Sequence, residues 1–98
     1  FQVTQETPYK FTSQPELQTA ASCWPNRGGT NPPLFLVNSW VESYPPNPEK
    51  ATIVNRRPFL LERARRCEMQ RSLTANLLAV DFADRGDVVG VARVLNRR

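Results

Sequence analysis

Residues 75–96, ANLLAVDFADRGDVVGVARVLN, read as one complete strand–loop–helix unit and decide the fold class of this chain. Residues 77–82 form a short apolar run rich in β-formers, interrupted near its C-terminal end by Asp81. Asp84, Arg85, Gly86 and Asp87 are turn chemistry, and Asp87 is placed to cap the helical segment after it. Val88, Val91, Ala92 and Leu95 then recur at helical spacing.

Two further β-like runs lie upstream, at residues 1–4 and 34–41, and each leads into a helical pattern. Ser13 and Glu16 have the capping-box spacing, with Pro15 at the first helical position. The helix they open must be short, because residues 22–33 are turn and loop material containing Gly28 and Gly29. A proline-rich loop at residues 43–47 comes after the second run. Asn47, Pro48 and Glu49 then open a helix with an N-cap, a first-turn proline and an acid near the positive end of the dipole. Pro58 breaks that pattern. A second helix from about Pro58 carries Leu60, Leu61, Ala64 and Cys67 inward, with its arginines expected outside. Strands alternating with helices imply about three parallel βα units, an α/β fold.

The chain has 98 residues, enough for one small domain. A closed eight-stranded α/β barrel needs about 250 residues, so a barrel-like chain of this size is a portion of one. Phe1 to Thr4 reads like the middle of a strand and no initiator methionine is present, which predicts a start inside a larger protein. No run is long enough to span a membrane, and the opening residues are not a signal peptide. The formal net charge is +4, with the basic residues concentrated after residue 55. That balance suits anionic partners in general, or simply solvated helix faces. Cys23 and Cys67 fit no metal motif, and their spacing allows either a disulfide or two separate buried thiols.

Strand ends supply the chemistry. Glu6 lies just past the first run, Asn38, Ser39 and Trp40 end the second, and Asp81 ends the third. In a parallel array these ends converge on one face, where α/β barrels keep their catalytic groups. An acid within an apolar strand is costly to bury unless paired, which singles out Asp81. The chain has no histidine, which removes Ser–His and Cys–His nucleophile pairs and makes a zinc site untenable. Arg27, Gly28, Gly29 and Thr30 lack the spacing and lysine of a phosphate loop. Tyr9 and Phe11 do not make the aromatic-basic interleaving of a nucleic-acid sheet, so no nucleic-acid partner is expected.

Five segments in colinear order resemble the C-terminal part of the phosphatidylinositol-specific phospholipase C-like phosphodiesterases, particularly their secreted bacterial and fungal branch. They are residues 5–8 (QETP), 21–28 (ASC with NRG), 33–38 (PLFLVN), 63–67 (RARRC) and 76–87 (NLLAVDF with GD), and together they run over nearly the whole chain. The resemblance implies the last three βα units of a distorted TIM barrel that cleaves phosphodiesters by acid–base chemistry. In that family one histidine deprotonates the inositol 2-hydroxyl, which attacks phosphorus to form a cyclic phosphate, and a second protonates the leaving oxygen. Both histidines, and an arginine that stabilises the phosphate, come from the N-terminal half of the barrel, which is the first partner the resemblance implies. Asp81 matches the late-strand aspartate that orients the base histidine, a role in which a carboxylate sets the tautomer and steadies the imidazolium.

Under the same resemblance Glu6, Asn38, Ser39 and Trp40 line the pocket for a phosphodiester or phospholipid headgroup. It also favours a Cys23–Cys67 disulfide, hence a secreted or extracellular setting. No metal or other cofactor is expected. The chain departs from the pattern at residues 38–40, which read Asn-Ser-Trp where relatives often read Asn-His-Trp. Without histidines it cannot perform the family mechanism alone. The alternative reading is a non-catalytic interaction module, or a degenerate barrel remnant, meeting anionic membrane surfaces through arginine-rich helices.

Overall fold

The polar tripeptide Thr4–Glu6 becomes strand β1 because it finds a partner: Thr4, Gln5 and Glu6 pair in parallel with Leu34, Phe35 and Leu36. The computed structural model describes residues 3–97, so Phe1 and Gln2 of the expected first run lie outside the described residues. The second strand, β2, is Leu34–Ser39 and occupies the centre of a three-stranded parallel sheet ordered β1-β2-β3. β3 is Ala75–Val80, two residues earlier than the apolar run suggests, so Asp81 comes after the strand rather than interrupting it. The register with β2 shifts between Phe35 and Leu36, and there the Asn76 side chain replaces a ladder bond by accepting from Phe35 N at 2.8 Å.

Helix α1, Pro48–Val54, starts as its sequence dictates, with the Asn47 side chain accepting from Glu49 N and Lys50 N. α2, Arg57–Arg71, begins beside Pro58 after the break at residues 55–56. α3, Val88–Asn96, is capped by Asp87, whose carboxylate accepts from Gly90 N. The Ser13–Glu16 signal yields only 3₁₀ turns, Pro15–Gln18 and Ala20–Cys23. The Glu16 carboxylate does reach back, to Thr12 N and to the Thr12 and Ser13 hydroxyls, but no side chain caps the turn.

α2, α3 and the second 3₁₀ turn pack on one face of the sheet. Phe35 and Val37 meet Cys23 and Cys67 there, while Leu78 and Val80 meet Leu60, Ala64, Val91 and Leu95. A third group, Phe11, Leu17, Val41 and Val54, closes the core beside α1. Cys23 and Cys67 form a fully buried disulfide, which staples the second 3₁₀ turn to α2. The opposite sheet face carries Leu34, Leu36, Leu77 and Ala79, with Glu6 and Asn38 toward its C-terminal end; Leu34 and Leu77 are 39% and 48% exposed, and among the described residues the helix-bearing core clusters lie on the other side. The thinnest dimension, 21 Å, is that of two layers. The fold is thus a small α/β domain with a parallel sheet.

One expectation about α2 is overturned. Leu60, Ala64 and Cys67 point inward as expected, but so does Arg63, which is fully buried. Its position at three residues from Leu60 and four from Cys67 puts it on the same helical face, and polar acceptors waiting there make burial of the cation tolerable.

Candidate functional site

The loop after the second 3₁₀ turn runs back along the free edge of β1 and builds the site. Asn26 N donates to the Glu6 carbonyl at 3.1 Å, and Glu6 N donates to the Arg27 carbonyl at 3.2 Å. Gly28 makes the approach possible: at φ 88°, a Cβ there would fall 2.2 Å from the Thr4 carbonyl oxygen. Arg27 is thereby delivered to the Glu6 carboxylate, with Nε at 2.7 Å from Oε2 and Nη2 at 3.0 Å from Oε1. Asn26 Nδ2 donates to the same carboxylate at 2.9 Å, and Asn38 Nδ2 to Oε1 at 3.1 Å.

Glu6 is fully buried, whereas the Arg27 side chain is 53% exposed. Burial works against the Glu6 charge, but the Arg27 and Asn38 hydrogen bonds and the nearby guanidinium charge outweigh it. They hold the carboxyl below its ordinary value. The hydrogen bond to Glu6 in turn raises the pKa of Arg27. Tyr9 lies under the guanidinium, 5.0 Å from ring centroid to Arg27 Cζ, and stacks on Trp40 at 5.9 Å. Glu6, Asn38, Asn26, Arg27, Tyr9 and Trp40 therefore form one connected shelf at the C-terminal ends of β1 and β2.

The remaining expected residues stand apart from that shelf. Strand alternation places Ser39 with Phe35 and Val37 on the helix-covered face, where its hydroxyl is buried with no hydrogen-bond partner among the described residues. Asp81 is half-buried in an open cleft of about 460 Å³ shared with Glu42, Ser43, Tyr44 and Pro46. Its carbonyl oxygen accepts from Asn55 Nδ2 at 2.9 Å, which anchors the turn, while no described side chain hydrogen-bonds its carboxylate. The loop before α3 is organised by Asp87, which caps the helix and pairs with Arg57 at 2.6 Å.

Chemically, the two carboxylates differ. Glu6 is locked as an anion by three side chains and acts as an acceptor and charge balance rather than a proton shuttle. Asp81 is open to the cleft and can accept from a group placed over the strand ends. Asn26 and Arg27 come from the stretch whose sequence reads as turn and loop, and Tyr9 has no site signal in the sequence; the signal available for Arg27 is its place directly before two glycines. No group of histidine, cysteine, aspartate and glutamate able to hold a metal occurs among the described residues. No protein-family model, no curated protein and no solved structure matches the chain.

Proposed function

We propose that this chain is the C-terminal sector of a phospholipase C-like phosphodiesterase barrel, secreted and disulfide-bonded. It would supply Asp81 as the carboxylate orienting a histidine from the N-terminal half. The observation that carries this reading is the sidedness of the sheet: α2 and α3 pack on one face, the other leaves Leu34 and Leu77 exposed, and polar groups gather at the C-terminal ends of its strands. A barrel sector has this form, since its inner face is completed by other strands and its C-terminal rim holds the chemistry. The buried Cys23–Cys67 disulfide supports an oxidising compartment.

On this reading Arg27, Tyr9 and Trp40 face the headgroup, the buried Glu6 and Asn38 lie behind them, and Ser39 supports the wall from the helix-covered side. The barrel's N-terminal half brings the acid–base histidines, and phosphodiester cleavage proceeds through the cyclic phosphate. Asp81→Asn in the full-length protein is expected to lower phosphodiester hydrolysis by about 10²- to 10⁴-fold while near-UV circular dichroism stays unchanged. Undiminished turnover by that variant overturns the assignment of Asp81.

A second reading, an interaction module for anionic surfaces, is favoured by a pocket of about 300 Å³ on α3 lined by Arg57, Arg93 and Arg97 with Asp87. Binding to anionic vesicles that weakens steeply with salt and survives Asp81→Asn would favour it over the enzyme.

A further inference from the structure

We propose that Arg63 is a positioning residue for the buried Glu6–Asn38 pair behind the proposed headgroup pocket: from within the core it grips the C-terminal end of β2 and thereby sets the amide that Asn38 presents to Glu6. The inference rests on the proposed headgroup pocket.

Arg63 projects from α2 into the point where β1, β2 and both 3₁₀ turns meet. Nε and Nη2 both donate to the Asn38 carbonyl, at 3.2 and 2.7 Å. Nη2 also donates to the Ser22 carbonyl at 3.0 Å and lies 3.4 Å from Thr7 Oγ1. Nη1 donates to Ser22 Oγ at 2.7 Å and to the Leu17 carbonyl at 3.3 Å. The guanidinium also sits over the Phe11 ring, 5.3 Å from its centroid.

Every oxygen that receives this cation is neutral. Burial, and after it the neighbouring charge of Arg66, depresses its pKa to about 10, so it remains protonated at neutral pH. An apolar side chain of similar volume would avoid that desolvation. What it lacks is a rigid fork of donors able to tie three chain segments together, and lysine lacks it too.

The connection to the pocket is short. Thr7 Oγ1, held near Arg63, accepts from Asn38 N at 3.0 Å, so both backbone polar groups of Asn38 are tied to Arg63 directly or through one hydroxyl. With its backbone pinned, Asn38 places Nδ2 at 2.8 Å from the Thr7 carbonyl and 3.1 Å from Glu6 Oε1. Arg66 is the natural control. It reaches the carbonyls of Leu17 and Thr19 and the Ser22 hydroxyl on the same turns, with no hydrogen bond to β2 among the described residues.

The test is carboxyl and side-chain NMR on the protein carrying this chain, disulfide intact, for Arg63→Lys, Arg63→Met and Arg66→Lys. The expected result is a Glu6 titration displaced upward, toward the ordinary carboxyl value, and a shifted Asn38 side-chain amide in both Arg63 variants. Arg66→Lys should leave both signals in place even where it lowers the melting temperature. A fall in melting temperature with Glu6 and Asn38 signals unmoved in the Arg63 variants overturns the proposal, since that is what a purely structural arginine would give. Should those variants not fold, the unsubstituted protein decides. The Arg63 Nε resonance is expected to track the Glu6 titration, and a flat response overturns the inference. Kinetics separate this from the assignment of the pocket: Arg63→Lys is expected to raise KM for the phosphodiester about tenfold with kcat retained. Displaced Glu6 and Asn38 signals with an unchanged KM uphold the positioning role and overturn the pocket.

Discussion

Glu6 stays charged in a fully buried position because three side chains converge on its carboxylate from positions far apart in sequence, Asn26, Arg27 and Asn38. Its lowered pKa ties stability to pH in a definite direction. The folded state binds this proton less readily than the unfolded chain, so the contribution is present in full above the ordinary value of 4.5. It is lost as pH falls through the lowered native value. Glu6→Gln is therefore expected to reduce the melting temperature at neutral pH and to flatten its decline on acidification, read by thermal melts from pH 7 downward. Equal acid sensitivity in the variant and the unsubstituted protein would assign the acid limb to other carboxylates.

At the scale of elements, the ends of the helices show how local chemistry acts. Asn47 and Asp87 each cap a helix with the side chain their sequence context specifies. The C-terminus of α2 is less suited to its residue: Ser72 adopts a left-handed conformation, φ 54° and ψ 44°, to end the helix. That conformation is disfavoured for any residue with a Cβ and is the usual place of glycine. Ser72→Gly is expected to stabilise the fold by about 1 kcal/mol, measured as a higher urea midpoint with the slope unchanged. The 3₁₀ turns at residues 15–23 show the opposite case. Their intrinsic signal is weak, and they are held by Arg63, Arg66 and the disulfide rather than by a cap.

For the molecule as a whole, two features govern behaviour. The disulfide closes a sequence separation of 44 residues between the second 3₁₀ turn and α2. Loop-closure entropy gives such a link about 4 kcal/mol, a large share of what holds a domain of this size together. Paired Cys23→Ala and Cys67→Ala substitution is thus expected to lower unfolding free energy by up to about 4 kcal/mol in denaturant titration. A change below about 1 kcal/mol would show that packing alone supports the turn. The second feature is the bare sheet face. Leu34 and Leu77 are exposed beside the half-buried Leu36 and Ala79, an apolar surface of the kind that other secondary structure covers in a completed layer.

Short-range physics makes part of this fold legible in the residues alone. Strand–helix alternation, the caps at Asn47 and Asp87, the break at Pro58 and the inward face of α2 are all set by residues within a few positions of one another. Arg63 marks the limit: its spacing puts it on the stripe of Leu60, Ala64 and Cys67, but its residue type predicts an outward cation, and the fold buries it. Other features depend on contacts between distant parts of the chain. A tripeptide as polar as Thr4–Glu6 becomes a strand because β2 is there to pair with it. Arg27 becomes a partner of Glu6 because Gly28 lets a loop lie against β1. Ser39 and Asn38, adjacent in sequence, part to opposite faces because successive strand residues alternate. Whether a charge is stabilised inside depends on acceptors and counter-charges brought from twenty or more residues away, and no local pattern carries that information.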